Sequence, residues 1–214
     1  MYQQPAFTED RPDVLHQLIR DHPLATVFTA GPSGLMANLI PVLIYPGEGE
    51  HGVLRAHLAR ANAQWKELAA VDECLLVFEG PQRYISPGWY ATKQETGKVV
   101  PTWNFAMVQV RGKPRVIDGD PAWLHRQLAD LTRSQEGHRP APWAVEDAPA
   151  DFIEAMKRAI VGVEIPITRI EGKWKMSQNR PEADRIGVDA GLRAEGSQRS
   201  AEVAALVAQH IGRS

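Results

Sequence analysis

Two stretches of this chain concentrate groups that hold anions. In VLRAHLARANAQWKEL, residues 53 to 68, Val53, Arg55 and His57 alternate with Leu54, Ala56 and Leu58 as on a β-strand. Beyond Asn62 the apolar residues shift to the helical spacing of Trp65, Leu68 and Ala69, so Arg60 and Asn62 stand where the period changes. A helix start offers unpaired N–H groups and the positive end of the helix dipole, and one that carries an arginine suits a phosphate. Taken alone, Asn62 would only cap the helix and Arg60 would be a solvated charge. The second stretch, GKWKMSQNR from Gly172 to Arg180, holds three basic residues, two amides and a serine in nine positions. As a plain loop it would be solvated; as a site it is rich in donors for an anion.

Other chemistries fit the residues less well. His51 and His57 are too far apart for a helical metal pair and have no third ligand at a recognisable spacing, which argues against a metal. GEGEHG, Gly47 to Gly52, has the form of a dinucleotide fingerprint. It follows Pro46, sets Glu48 and Glu50 where a pyrophosphate would be repelled, and leads into another strand, so a hairpin loop is expected. His57 and Tyr90 are candidates for proton transfer, without partners visible in the sequence. The lone Cys74 sits inside CLLVF and reads as a reduced core thiol. YISPGWYATK and VPTWNF place aromatic side chains beside Ser86, Lys93, Thr102 and Asn104 around turns, which suits either core packing or the rim of a pocket for a flat ring.

The elements that position these residues alternate short strands with helices. A helix follows Asp10 and Pro12, with Val14, Leu15, Leu18 and Ile19 on one face. ATVFTA and LMANLIPVLIY form an up-and-back pair about Gly31-Pro32-Ser33-Gly34, and Gln82 to Ser86 is expected to return as a hairpin partner of the Cys74 strand across Gly80-Pro81. Asp120-Pro121 opens a helix carrying Trp123, Leu124, Leu128 and Leu131; a shorter one sets Phe152, Ile153, Met156 and Ile160 on one face. The strand VGVEIPITRIEG leads into the Gly172 to Arg180 string. A Gly-rich polar link is expected over residues 181–199, then a final helix within 200–214. With 43% hydrophobic and 23% charged residues the chain can build a sizeable core. Its net charge of -2 gives no global attraction to nucleic acid. No stretch approaches the roughly 20 apolar residues of a membrane span, and the cytoplasm is the expected location.

HLARANAQW, YISPGWY, VPTWNF and GKWKMSQNR, in this order from residue 57 to residue 180, together with the opening MYQQPAF, resemble the PaiB-type family of FMN-binding negative transcriptional regulators. The resemblance implies an α+β, mainly β fold: a split β-barrel of the pyridoxamine-phosphate oxidase-like kind over residues 1–180, with peripheral helices and flavin bound between the subunits of a homodimer. It makes His57, Arg60, Asn62, Trp103, Lys175, Ser177, Gln178 and Asn179 the candidates for holding FMN, with no metal. The chain departs from the family pattern at Ala63 for proline, Gly88 for serine, Phe105 for tyrosine and Met176 for leucine, none of which removes a donor from the candidate phosphate site. Two roles follow: a regulator whose contact with DNA is weak or assisted, or a flavin-dependent oxidoreductase on the same barrel.

Overall fold

A computed structural model describes residues 1–212 of the chain. In order, it contains β1 (Thr8–Glu9), α1 (Pro12–Asp21), β2 (Leu24–Gly31), β3 (Gly34–Tyr45), β4 (Val53–Ala59), α2 (Gln64–Ala70) and β5 (Cys74–Ile85). There follow α3 (Thr92–Thr96), β6 (Thr102–Gly112), β7 (Arg115–Ile117), α4 (Pro121–Glu136), α5 (Ala150–Arg158), β8 (Ile160–Lys175), α6 (Glu182–Ala194) and α7 (Gln198–Ala208). The strands pair in the order β1-β8-β4-β3-β2-β5-β6, with β7 beside β8 and a further β8–β6 pairing. The registered pairs are antiparallel, in keeping with the expected split-barrel class.

Where one domain over residues 1–180 is expected, the chain divides into two compact units. Unit 2 comprises His16–Phe78 and Gln109–Ile170; unit 1 comprises Met1–Leu15, Glu79–Val108 and the chain from Glu171 onward. In unit 2 the apolar alternation of β2, β3, β4 and β8 buries Ala25, Val27, Ile40, Leu54, Val163 and Ile165 on one side of the sheet. Tyr45 pairs with Val53 across the Gly47 to Gly52 segment, which is a hairpin loop as its glutamates and following strand require. The α4 start is capped as Asp120 predicts, its Oδ1 accepting the Trp123 N–H at 2.8 Å.

Several expectations are corrected. β5 is one continuous strand, so Gln82 to Ile85 extends it instead of returning as a hairpin; Gly80-Pro81 sits within it at the passage from one unit to the other. β8 likewise runs on to Lys175, which places Lys173 and Lys175 on a strand and leaves only the end of the string as a turn. α5 stops at Arg158, half-exposes Phe152 and Met156, and buries Lys157, whose Nζ reaches the Glu154 carboxylate at 2.5 Å.

The largest correction is at residues 181–199. The expected flexible link is instead α6, and Ser197 caps α7 by accepting the Ser200 N–H at 3.1 Å. Glu182 and Asp184 favour the α6 start and Arg193 its end, while Val188 and Leu192 are fully buried. Its glycines serve close packing. A Cβ on Gly187 would lie 2.0 Å from the Trp89 carbonyl oxygen, and one on Gly191 would lie 2.4 Å from the Trp89 ring. The final helix ends at Ala208; the expected segment 200–214 extends beyond the described residues.

Candidate functional site

The candidate residues form two groups, one in each unit. In unit 2, β4 carries His57 partly exposed, its Nδ1 2.8 Å from Gln127 Oε1 of α4. The chain then turns through Arg60 and Asn62 before α2 begins at Gln64. The Asn62 side chain steadies that turn, its Oδ1 accepting the Gln64 N–H at 3.0 Å. Gln64 is wholly buried and donates to the Val27 carbonyl at 2.8 Å while accepting from Asn38 at 2.9 Å, which anchors α2 on the β2–β3 pair. With Asn62 so engaged and α2 only seven residues long, anion-binding capacity at this junction resides in Arg60.

The Arg60 guanidinium is held by an acid that sequence reasoning missed. Asp118, in the segment after β7, accepts from both terminal nitrogens, at 2.7 and 3.1 Å, and the Arg158 carbonyl accepts from Nε at 3.1 Å. The bond to Asp118 raises the Arg60 pKa, and the same bond lowers that of Asp118. Both side chains are nearly half exposed, at 42% and 46%. An exposed ion pair of this kind is weak and is readily exchanged for a more highly charged anion.

In unit 1 the Gly172 to Arg180 string becomes the end of β8 and a tight turn. Ser177 adopts a left-handed conformation, φ 64°, although it is not glycine. Its hydroxyl exchanges hydrogen bonds with the buried Asn104 side chain, accepting from Nδ2 at 3.0 Å and donating to Oδ1 at 3.2 Å. Gln178 closes the turn on itself: Oε1 accepts the Met176 N–H at 2.6 Å and Nε2 donates to the Trp174 carbonyl at 2.5 Å. Ser177 and Gln178 therefore build the turn, and Asn179 is exposed on it.

Lys175 is fixed differently, donating to the Thr102 hydroxyl and, at 2.9 Å, to the Trp103 carbonyl. Partial burial lowers its pKa, and the nearby charges of Lys173 and Arg180 add to that effect. The Arg180 guanidinium lies 4.5 Å from the centre of the Tyr90 ring, and the Lys173 ammonium 5.6 Å from that of Phe105. Trp103 is 52% exposed and meets Tyr84 edge to face, their centroids 6.2 Å apart. Thr102, Asn104, Lys173 and Arg180 thus join the candidates. All four lie inside the quoted strings, but β-strand pairing alone reveals which of them meet.

The remaining candidates for chemistry are committed elsewhere. Burial pushes the Cys74 thiol up to about 12, so it stays protonated, 3.5 Å from the Gly112 carbonyl. Among the described residues no cluster of three or more His, Cys, Asp or Glu could hold a metal ion, and no helix is long and apolar enough to cross a membrane.

Residues 1–169 match the model of the family described as "Putative FMN-binding domain". The chain is 36% identical to an uncharacterised protein of Emericella nidulans, over 97% of this chain and 96% of that protein. It is 28% identical to the protease synthase and sporulation protein PAI 2 of Bacillus subtilis, with the same coverage of each chain, 97% and 96%. The crystal structure of a conserved hypothetical protein from Mycobacterium tuberculosis superposes with a TM-score of 0.59 at 14% identity, covering 85% of this chain and 94% of that one. The FAD and heme binding protein of Mycobacterium smegmatis does so at 0.56 and 16%, covering 78% and 73%. At such identities these structures share the fold alone.

Proposed function

The chain belongs to the FMN-binding domain family, and from that premise we propose that it acts as a cytoplasmic homodimer that holds FMN and serves as a negative transcriptional regulator. The observation that carries the flavin reading to particular residues is the Arg60 fork. It stands at the β4–α2 junction, inside the matched residues, held by the exposed Asp118 carboxylate and by the Arg158 and Ile160 carbonyls. A flavin phosphate brings close to two negative charges at neutral pH, more than Asp118 offers, and a planar guanidinium can grip two of its oxygens. Arg60 would hold that phosphate, on the turn that the Asn62 side chain steadies. When bound, FMN would supply the electron-transfer chemistry.

The regulatory role is supported by the full-length likeness to the Bacillus subtilis protein, whose name refers to protease synthesis and sporulation. It is also supported by the state of the two residues suited to proton transfer. His57 has one ring nitrogen on Gln127, and Tyr90 is buried against Arg180. The dimer is supported by the outer face of β2 and β3. Their register aligns Leu24 with Pro41, Thr26 with Leu39, Phe28 with Ala37 and Ala30 with Leu35, a face without a charged side chain. On it Leu24, Phe28, Leu35 and Leu39 are 52%, 38%, 90% and 62% exposed. An exposed apolar face without charge suits burial against a second copy of the chain.

The test is the visible spectrum of freshly purified protein, with the released flavin identified by mass. Yellow protein releasing FMN is expected; colourless protein that takes up no added FMN would refute the reading. The role is then decided by two assays on the same material. Retardation of promoter DNA without electron transfer from NADH or NADPH to oxygen or a dye is expected. The opposite pattern would make the protein a flavin-dependent oxidoreductase.

A further inference from the structure

The carboxylate that holds Arg60 stands at a joint in the chain. Asp118 lies between β7 and α4, one glycine ahead of Asp120, the residue that caps α4. On one side β7 is fixed to β8, with Val116 opposite Val163 and Ile117 opposite Gly162. On the other side α4 is fixed to the sheet. A Cβ on Gly162 would lie 2.3 Å from the Trp123 ring, Leu124 and Gln127 are buried, and the Tyr45 hydroxyl donates to Asp130 at 2.8 Å. Between these anchors the chain from Asp118 to Ala122 is exposed, and among the described residues Arg60 is the only cation paired with Asp118. Gly119, at φ 81° and with nothing within 4 Å of where its Cβ would be, is free to pivot. Two hydrogen bonds depend on this segment: the Trp123 N–H donates to Asp120 Oδ1 at 2.8 Å, and the Leu124 N–H to the Asp120 carbonyl at 3.1 Å.

Asp118 occupies the two terminal nitrogens of Arg60, so an anion taking those nitrogens displaces its carboxylate and repels it, while Nε keeps its bond to the Arg158 carbonyl. We propose that residues 118–122 form a switch on the flavin site. With Arg60 free of ligand, Asp118 holds the lead-in to α4 and its cap in order; with a phosphate on Arg60, the lead-in is released and the first turn of α4 frays. The inference rests on Arg60 holding the flavin phosphate, and it gives the proposed regulator a way to report occupancy through its own backbone. By linkage, the factor by which the phosphate loosens the segment is the factor by which loosening favours the phosphate. The tie is an exposed ion pair, which sets that factor at about twofold to fivefold. Beyond Leu124, α4 is held by its own contacts and takes no part.

Amide hydrogen exchange of the full chain, read at Trp123 and Leu124 with and without FMN, tests the switch; flavin absorbance of the same samples reports loading. A bound ligand ordinarily slows exchange near its site. Here FMN is expected to speed it at these two amides about twofold to fivefold and to leave residues 125–136 unchanged. Riboflavin, which lacks the phosphate, should leave both regions unchanged. Flavin-free Asp118→Asn should already exchange at the faster rate, with no further change on loading, and Asp118→Ser provides a second variant if the first does not fold. Exchange at Trp123 and Leu124 that is unchanged or slower in FMN-loaded wild type would overturn the switch and leave the flavin reading standing. So would the same acceleration in FMN-loaded Arg60→Ala, since the signal would then bypass Arg60. Protein that takes up no FMN would sink the flavin reading, and the switch with it.

Discussion

At the scale of single residues, the two donor-rich strings divide into groups that could meet a ligand and groups that build the frame. Arg60, Lys175 and Arg180 belong to the first class; Asn62, Ser177 and Gln178 spend their hydrogen bonds inside the chain. The sequence makes the donor types plain and leaves their engagement hidden, because Asp118 and Asn104 are 58 and 73 residues from the groups they hold. Two outcomes follow. Asp118→Asn frees the Arg60 fork without moving it, so FMN affinity should rise by up to about fivefold, the scale of an exposed ion pair; unchanged affinity in a titration would show that Arg60 does not meet the phosphate. Asn104→Ala leaves the strained Ser177 without its buried partner and should cost about 1 to 3 kcal/mol in denaturant unfolding. A loss within error would mean that the left-handed turn is held by other contacts.

At the scale of elements, the regular strands and the capped helix α4 are legible because period and capping are local signals. The link expected over residues 181–199 fails for a physical reason: glycine read as flexibility is here the absence of a side chain where Trp89 packs. Gly191→Val should therefore push α6 off Trp89, costing about 1 to 3 kcal/mol and raising amide exchange over α6; unchanged exchange would contradict the packing account. Within unit 2, Glu164 ties β4, β7 and β8 together, bonded to Arg55 at 2.8 Å and to Arg115. Burial alone would raise its pKa, but the two arginines outweigh that and hold it below the usual carboxylate range. A depressed carboxyl contributes stability that is complete above the unfolded-state pKa and lost as pH falls through the folded-state value. Glu164→Gln should be less stable at neutral pH and should flatten the fall of stability on acidification; an equally steep acid limb would assign that fall to other groups.

At the scale of the whole molecule, fold class was legible from strand count and from four strings spread over most of the chain, whereas the division into two units was not, since strands β5, β6 and β8 pass through both. The uncharged face of β2 and β3 predicts a dimer of about twice the 23.7 kDa chain mass by light scattering, and Leu35→Glu with Leu39→Glu should yield monomers. A wild-type monomer at micromolar concentration would remove the dimer from the account. Direct DNA binding should be weak and strongly salt-dependent. The last two helices, α6 and α7, carry Glu182, Asp184, Asp189 and Glu202 against Arg185, Arg193 and Arg199, so they bring no excess of positive charge to a phosphate backbone.

The claim on which the rest depends is that the chain holds FMN by its phosphate at Arg60, and titration of flavin-free protein with FMN and with riboflavin tests it most directly. The wild type should bind FMN and prefer it over riboflavin, and Arg60→Ala should lose roughly tenfold to hundredfold in FMN affinity while its riboflavin affinity and circular dichroism stay the same. An FMN-to-riboflavin preference that is the same in wild type and Arg60→Ala would contradict the account.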